Sequence, residues 1–320
     1  MKKTIIGIMV SALMFGTMEI ALKIGGTKLD PVQMTFLRFF IGGLVLAPFA
    51  VRETKEQMRK KHAALADIIS KQDMAWMFLV GVMGISISML CFQLGVERCN
   101  AATAAGLICT NPLFTMIIAH LFTPEKMNGK KWAAFFIGLA GMIFMIRPWS
   151  IQEGNTTVGI IFMVASAVTF GIYTVMGKRT VNRIGVFTQT SISFFFGSLV
   201  LLLVMFVMGR PVTAGVIDNL PVVLYCGVMV TGIGYLFYFI GIKNSDATTG
   251  SLTFFVKPII APILAILILH ETVYWNTFAG IVLLTIASTI TLVDSKSRSA
   301  EEPSSAVGRI IREEVYHETN

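Results

Sequence analysis

Apolar runs long enough to cross a bilayer recur ten times, near residues 4–22, 32–50, 74–94, 101–122, 131–147, 157–177, 187–208, 221–241, 248–269 and 274–293. A transmembrane helix needs about 20 apolar residues. In lipid a helix satisfies its own backbone polar groups, which an open strand does not. The runs therefore predict an all-α integral membrane protein with ten transmembrane helices, numbered here as spans one to ten. Composition agrees: of 320 residues 55% are hydrophobic and 14% charged, against about 25% charged in soluble domains. This balance excludes a disordered chain, a secreted disulfide scaffold and an ordinary cytosolic enzyme. The first run follows Met1-Lys2-Lys3 and extends to about Leu22 with no small-x-small cleavage signal. It reads as a retained first helix rather than a secretory signal.

The net charge of +8 reflects orientation, not nucleic-acid binding. With a cytoplasmic N-terminus, 19 of the 26 Lys and Arg residues fall on the cytoplasmic side and 5 on the other. Arg38 and Lys257 lie inside spans. That asymmetry follows the positive-inside rule and predicts a cytoplasmic-membrane protein with both termini cytoplasmic. The segment 51–73 carries six basic residues with Met58, Leu65, Ile68 and Ile69 interspersed, the pattern of a short amphipathic helix on the membrane surface. The polar stretch 294–320 is expected to be a cytoplasmic tail.

The chain also repeats itself. A shift of 155 residues aligns Phe15-Gly16 with Phe170-Gly171, Lys23 with Lys178 and Gly42 with Gly197. A shift of 146 aligns Gly81 with Gly227, Gly95 with Gly241, Thr103 with Thr249, Pro112 with Pro258 and Glu125 with Glu271. The long loop at 51–73 absorbs the difference. Two halves are expected, 1–147 and 157–293, each of five spans. An odd number of spans inserts the second half upside down. Inverted repeats give a chain two related packings, one open to each side of the membrane.

Phe15-Gly16 through Lys23, and Leu37-Arg38-Phe39, resemble the opening of an EamA-type repeat. Ala101 through Asn111-Pro112-Leu113-Phe114 to Glu125, then Gly138 and Gly141, resemble its second half. The second copy gives Ala247-Thr248-Thr249, Lys257-Pro258, His270-Glu271 and Gly280. The chain to about residue 293 thus resembles a ten-helix EamA-type member of the drug/metabolite transporter superfamily. The resemblance implies carriage of small organic solutes such as amino acids or other metabolites, often as export. Lys257 departs from it, since members often have an acidic or neutral residue there.

Ionisable groups within spans are costly and mark functional candidates. Under the repeat, Glu19 maps to Thr174, Arg38 to Ser193 and Asn111 to Lys257, so each charge belongs to one half only. Lys257, directly before Pro258, is a candidate for binding an anionic solute group, or for a structural ion pair with Glu19. Arg38 suits bidentate carboxylate recognition; it can also snorkel to headgroups, and the resemblance favours a structural or gating role. Glu19 can pair with either cation, or carry a coupling proton. Asn111 can bond to solute or to neighbouring helices. Tyr173, Tyr235 and Tyr238 can line a cavity. Pro112 and Pro258 predict paired helix kinks. Glu125 and Glu271 read as structural carboxylates at the N-termini of spans five and ten.

The four cysteines read as small apolar fillers. No metal-ligand spacing, Walker sequence or dinucleotide fingerprint is present, so neither a cofactor nor direct ATP drive is expected. The expected function is a secondary transporter working by alternating access, with a small-molecule solute and the lipid bilayer as partners; the resemblance implies export, with a solute importer as an alternative. An integral membrane enzyme acting on a lipid-linked substrate is the other alternative, but 51–73 and the tail show no catalytic cluster. A channel would show polar pore-lining rings. Monomer and homodimer are both open.

Overall fold

The computed structural model describes residues 2–294 other than 26, 27, 63, 125, 244–246 and 292; its side chains are described except at 2–8, 182, 239–243 and 247–256. Glu125 and the tail beyond Asp294 therefore lie outside the described residues. Seven helices are long and apolar enough to cross a membrane: Pro31–Lys61, Lys71–Arg98, Ala101–Phe122, Gly129–Ile146, Thr157–Val181, Val186–Val207 and Leu220–Tyr238. They form spans two to eight. Span nine is Ala247–Leu269 and span ten Trp275–Thr291. Span one is two pieces, Lys2–Gly16 and Met18–Gly25. Among the described residues the ten apolar runs are thus ten helical spans, five in each half.

Span two begins where Asp30 accepts hydrogen bonds from the amides of Val32 and Gln33, with Pro31 preset for a first turn. It ends at His62, which takes a left-handed conformation. At 31 residues it is about 46 Å long, beyond the hydrocarbon core of about 30 Å. The expected surface helix at 51–73 is therefore corrected. Residues 51–61 continue span two past the membrane, and only Leu65–Ile68 forms a separate turn. Hydropathy ends at Ala50 but helix propensity does not: Arg, Glu, Lys, Gln and Met are all good helix formers.

Packing follows the repeat. Spans two and seven form the most extensive helix pair. Span one lies on spans eight and nine, as span six lies on spans three and four; span two meets span eight, as span seven meets span three. Among the described residues, the glycines aligned by the two shifts sit at these crossings. A Cβ on Gly81 or Gly197 would strike the backbone or side chains of the other's helix, and Gly42 and Gly227 abut Thr231 and Ile41 in the matching crossing. Small residues let membrane helices approach this closely. Gly197→Val is expected to lower stability by about 1–3 kcal/mol, the usual cost of overpacking. Thermal unfolding in detergent measures it; an unchanged midpoint would show that the crossing tolerates a side chain.

Spans three and eight share a feature absent from any simple periodicity. Val82–Met89 and Tyr225–Ile233 are π-helical, at nearly equivalent places in the two halves. Ser86 and Ser88 donate from the first of these to the carbonyls of Gly197 and Ser166. Thr231 donates to the Cys226 carbonyl within the second. The wider turns carry Met89 and Thr231 to the central cavity.

Candidate functional site

Three interruptions build the centre of the molecule. Span one breaks at Thr17, whose hydroxyl donates to the Met14 carbonyl at 2.8 Å and lies 2.6 Å from the Tyr225 hydroxyl. The helix restarts at Met18, so Glu19 occupies a first turn, where the helix dipole favours a negative charge. Span four breaks at Cys109-Thr110 and restarts at Asn111-Pro112, with proline in the first turn, where a missing N–H costs nothing. The π-helical turns of spans three and eight complete the opening. Span nine, in contrast, runs as one helix through Pro258 and Pro262. The paired prolines therefore do not give matching backbone breaks.

A cavity of about 520 Å³ lies between the halves. Arg38, Asn111, Tyr173, Tyr235, Tyr238 and Lys257 all line it, with Pro112 beside Asn111. Its walls are largely aromatic and apolar: Phe15, Phe39, Phe92 and Phe170, with Met18, Met89 and Met116. Phe15 packs edge-on against Tyr235, and Tyr235 against Phe194, at centroid distances of 5.1 and 5.3 Å. Gly84 leaves room for the Tyr173 ring, which a Cβ there would strike. At one end the cavity continues past the exposed Thr174 to Gly177, Lys178 and Val186, at the hairpin between spans six and seven. At the other end Leu22, Phe92 and Val96 are fully buried.

Charge is concentrated at the closed end. Glu19 and Lys257 are buried and their Oε1 and Nζ lie 2.7 Å apart. Of the two partners open to Glu19, the structure joins it to Lys257. Among the described residues neither carboxylate oxygen accepts a hydrogen bond of good geometry, so the contact is chiefly Coulombic. Arg38 is different. Its side chain is 0% exposed, and Nε, Nη1 and Nη2 all lack a hydrogen-bond partner among the described residues. Its guanidinium sits 4.6 Å from the Phe39 ring centroid and 5.8 Å from that of Phe92. Phe92 is also 5.8 Å from the Lys257 ammonium, so one ring separates the two cations.

Glu271 takes up a different position from the one expected. Both its oxygens accept from the Ala101 amide, at 3.0 and 2.8 Å. The carboxylate caps a helix N-terminus, but that of span four in the other half rather than span ten. Glu53 makes a similar bridge, accepting from the amide and hydroxyl of Thr188. The repeat explains it: Gly185 stands where Asp30 would be, so span seven lacks its own capping carboxylate and borrows one from span two. The four cysteines are free thiols. Burial pushes the Cys99 thiol, between spans three and four, up to about 11, consistent with a filler. Among the described residues no cluster of His, Cys, Asp and Glu could hold a metal ion. Phe15, Phe92, Gln189 and Thr174 were not picked out as cavity residues from sequence. Thr174 carried a signal as the counterpart of Glu19, and Phe15 as part of the Phe-Gly pair that recurs at Phe170-Gly171.

Comparison with known proteins agrees with this architecture. The model of the EamA-like transporter family matches residues 2–147 and 157–293. An uncharacterized transporter of Clostridium kluyveri is 35% identical over 92% of this chain and 95% of its own length. The uncharacterized transporter YoaV of Bacillus subtilis is 24% identical over 89% of this chain and 94% of its own. The S-adenosylmethionine uptake transporter of Rickettsia bellii is 23% identical over 86% of this chain and 87% of its own. A solved crystal structure shares the fold with a TM-score of 0.62 at 16% identity, covering 92% of this chain and 98% of that one. The family is one of transporters, not enzymes, which sets aside catalysis on lipid-linked substrates. With the family model spanning both halves, the chain belongs to the EamA-like transporter family as a multi-pass membrane transporter.

Proposed function

We propose that the protein is a secondary carrier that exports a small organic solute, an amino acid or other metabolite, by alternating access through the central cavity. The observation carrying this reading is the unequal state of two equivalent helix pairs. Spans one and nine are joined by Glu19 and Lys257. Their counterparts, Thr174 on span six and Asn111 on span four, line the open cavity instead. A two-fold device open at one door and shut at the other is one of its two working states. The open door lies beside Lys178, Arg179 and Arg183, the basic hairpin that charge asymmetry puts in the cytoplasm. A site loaded from the cytoplasm suits export. In this reading Lys257 and Glu19 lock the outer side, while Asn111 and the three tyrosines contact solute.

Uptake is the second reading, favoured by one relative, the Rickettsia bellii protein, whose name is that of an uptake transporter. Counterflow in proteoliposomes tests the carrier itself. Preloaded unlabelled solute should drive transient, saturable accumulation of the same solute in labelled form. Flux that rises linearly with concentration, with no overshoot, would indicate a pore. Direction is then read in cells, where deletion of an exporter raises internal solute and overexpression lowers it.

A further inference from the structure

We propose that Arg38 is an anion receptor, and that the transported solute is a small organic monoanion with an apolar body, a monocarboxylate in the simplest case. This inference rests on the carrier reading above and adds the solute's charge. Three observations carry it.

The first is the charge balance of the cavity. Lys257 is neutralised by Glu19 at 2.7 Å. Arg38 is fully buried and neither hydrogen-bonded nor ion-paired among the described residues. One positive charge is therefore left over at the centre of a membrane protein. Buried charges are ordinarily paired, because an isolated one costs far more than a hydrogen bond returns. A cation that lines a cavity and has no hydrogen-bond or ion-pair partner among the described residues is arranged for a partner that comes and goes.

The second is geometry. Guanidinium presents five donors in a planar fork that matches a carboxylate. The guanidinium carbon lies over the Phe39 ring at 4.6 Å, a contact that uses none of its N–H groups as conventional hydrogen-bond donors. Ser193, the counterpart of Arg38 in the other half, is committed to the Met77 carbonyl. The pseudo-symmetry therefore supplies no second anion site, and one anionic group per solute fits.

The third is the wall. The cavity that Arg38 lines is walled largely by ring and thioether, from Phe15, Met89, Phe92 and Tyr235, with Phe92 5.8 Å from the guanidinium. Such a surface favours an apolar body over a second charged group. A dianion would leave one charge unpaired, and a cation would face Arg38 directly.

Four ligands with one apolar body and different head groups test the assignment: phenylacetate, 2-phenylethanol, phenethylamine and phenylalanine. Each is added to the detergent-solubilised full chain, and the thermal unfolding midpoint is read. Phenylacetate is expected to raise the midpoint by roughly 2–4 °C at a tenfold excess over its Kd, with a smaller rise for phenylalanine and none for the amine. Arg38→Gln should abolish the phenylacetate shift; Arg38→Lys, which keeps the charge but not the fork, should retain part of it. Equal shifts with the alcohol or the amine would overturn the proposal, as would a phenylacetate shift that survives Arg38→Gln. A protein that responds to none of the four would overturn it too, and that panel needs no variant to fold. These failures leave the carrier reading standing, since only the absence of counterflow for any solute removes that.

Discussion

Arg38→Met is expected to raise the unfolding temperature of the ligand-free protein while abolishing transport. Methionine nearly matches arginine in length and keeps a polarizable group against Phe39 and Phe92. What it removes is a buried charge with no hydrogen-bond or ion-pair partner among the described residues. The effective penalty of such a charge is several kcal/mol. The two ring contacts at 4.6 and 5.8 Å return about 0.5–2 kcal/mol, and Coulombic attraction from the Glu19 carboxylate offsets part of the remainder. A net gain of about 1–3 kcal/mol is the expected balance of these terms, readable as a rise of several degrees in a detergent melt. A structural arginine would give the opposite sign, because its loss would strand whatever it held. Binding sites often carry residues that cost stability, and this residue is where that cost should be most visible. A fall in midpoint with transport intact would mean that Arg38 supports the fold and reads no solute.

Sequence carried most of this architecture because membrane spans are written in composition. Ten apolar runs, an odd number per half and glycines recurring at fixed offsets were enough for the inverted pair of bundles and for its closest crossings. The charged centre was legible for the same reason: Glu19, Arg38 and Lys257 stand out against lipid-compatible neighbours, and the repeat shows that each is unpaired by symmetry. What escaped the reading depends on three-dimensional register. The π-helical turns of spans three and eight have no fixed residue signature, as they arise where packing favours a wider turn. Span two continues to Lys61 because polar helix formers extend a helix that hydropathy alone would end. Glu271 and Glu53 reach across to the other half, and no local spacing reveals a partner 170 or 135 residues away. The choice of Lys257 over Arg38 as the partner of Glu19 likewise required the helix positions themselves.

The Glu19–Lys257 pair should show the largest energetic coupling in the molecule. Lys257→Met leaves a fully buried carboxylate beside an apolar wall, and Glu19→Gln leaves a buried ammonium. Removing one partner of a buried pair typically costs 3–5 kcal/mol, so each single variant should unfold far below the wild type. The double variant, Glu19→Gln with Lys257→Met, removes both charges together. Replacing a buried pair by neutral groups is often neutral or stabilising, so the double variant should recover most of the loss, with a coupling of at least 2 kcal/mol in the cycle. Recovery of stability should not bring recovery of transport. In the proposed cycle the pair holds the outer door shut while the solute site faces the cytoplasm, and a carrier without that lock spends less time open to the inside. Counterflow by the double variant is expected to fall at least tenfold, which is about 1.4 kcal/mol of bias between the two states. If the double variant is stable and transports normally, the pair is a fold element and the lock lies elsewhere, in the Glu271 cap on span four or in the packing around Leu22 and Val96. If the single variants are as stable as wild type, the two charges do not depend on each other, and the closed end of the cavity is held by apolar contact alone.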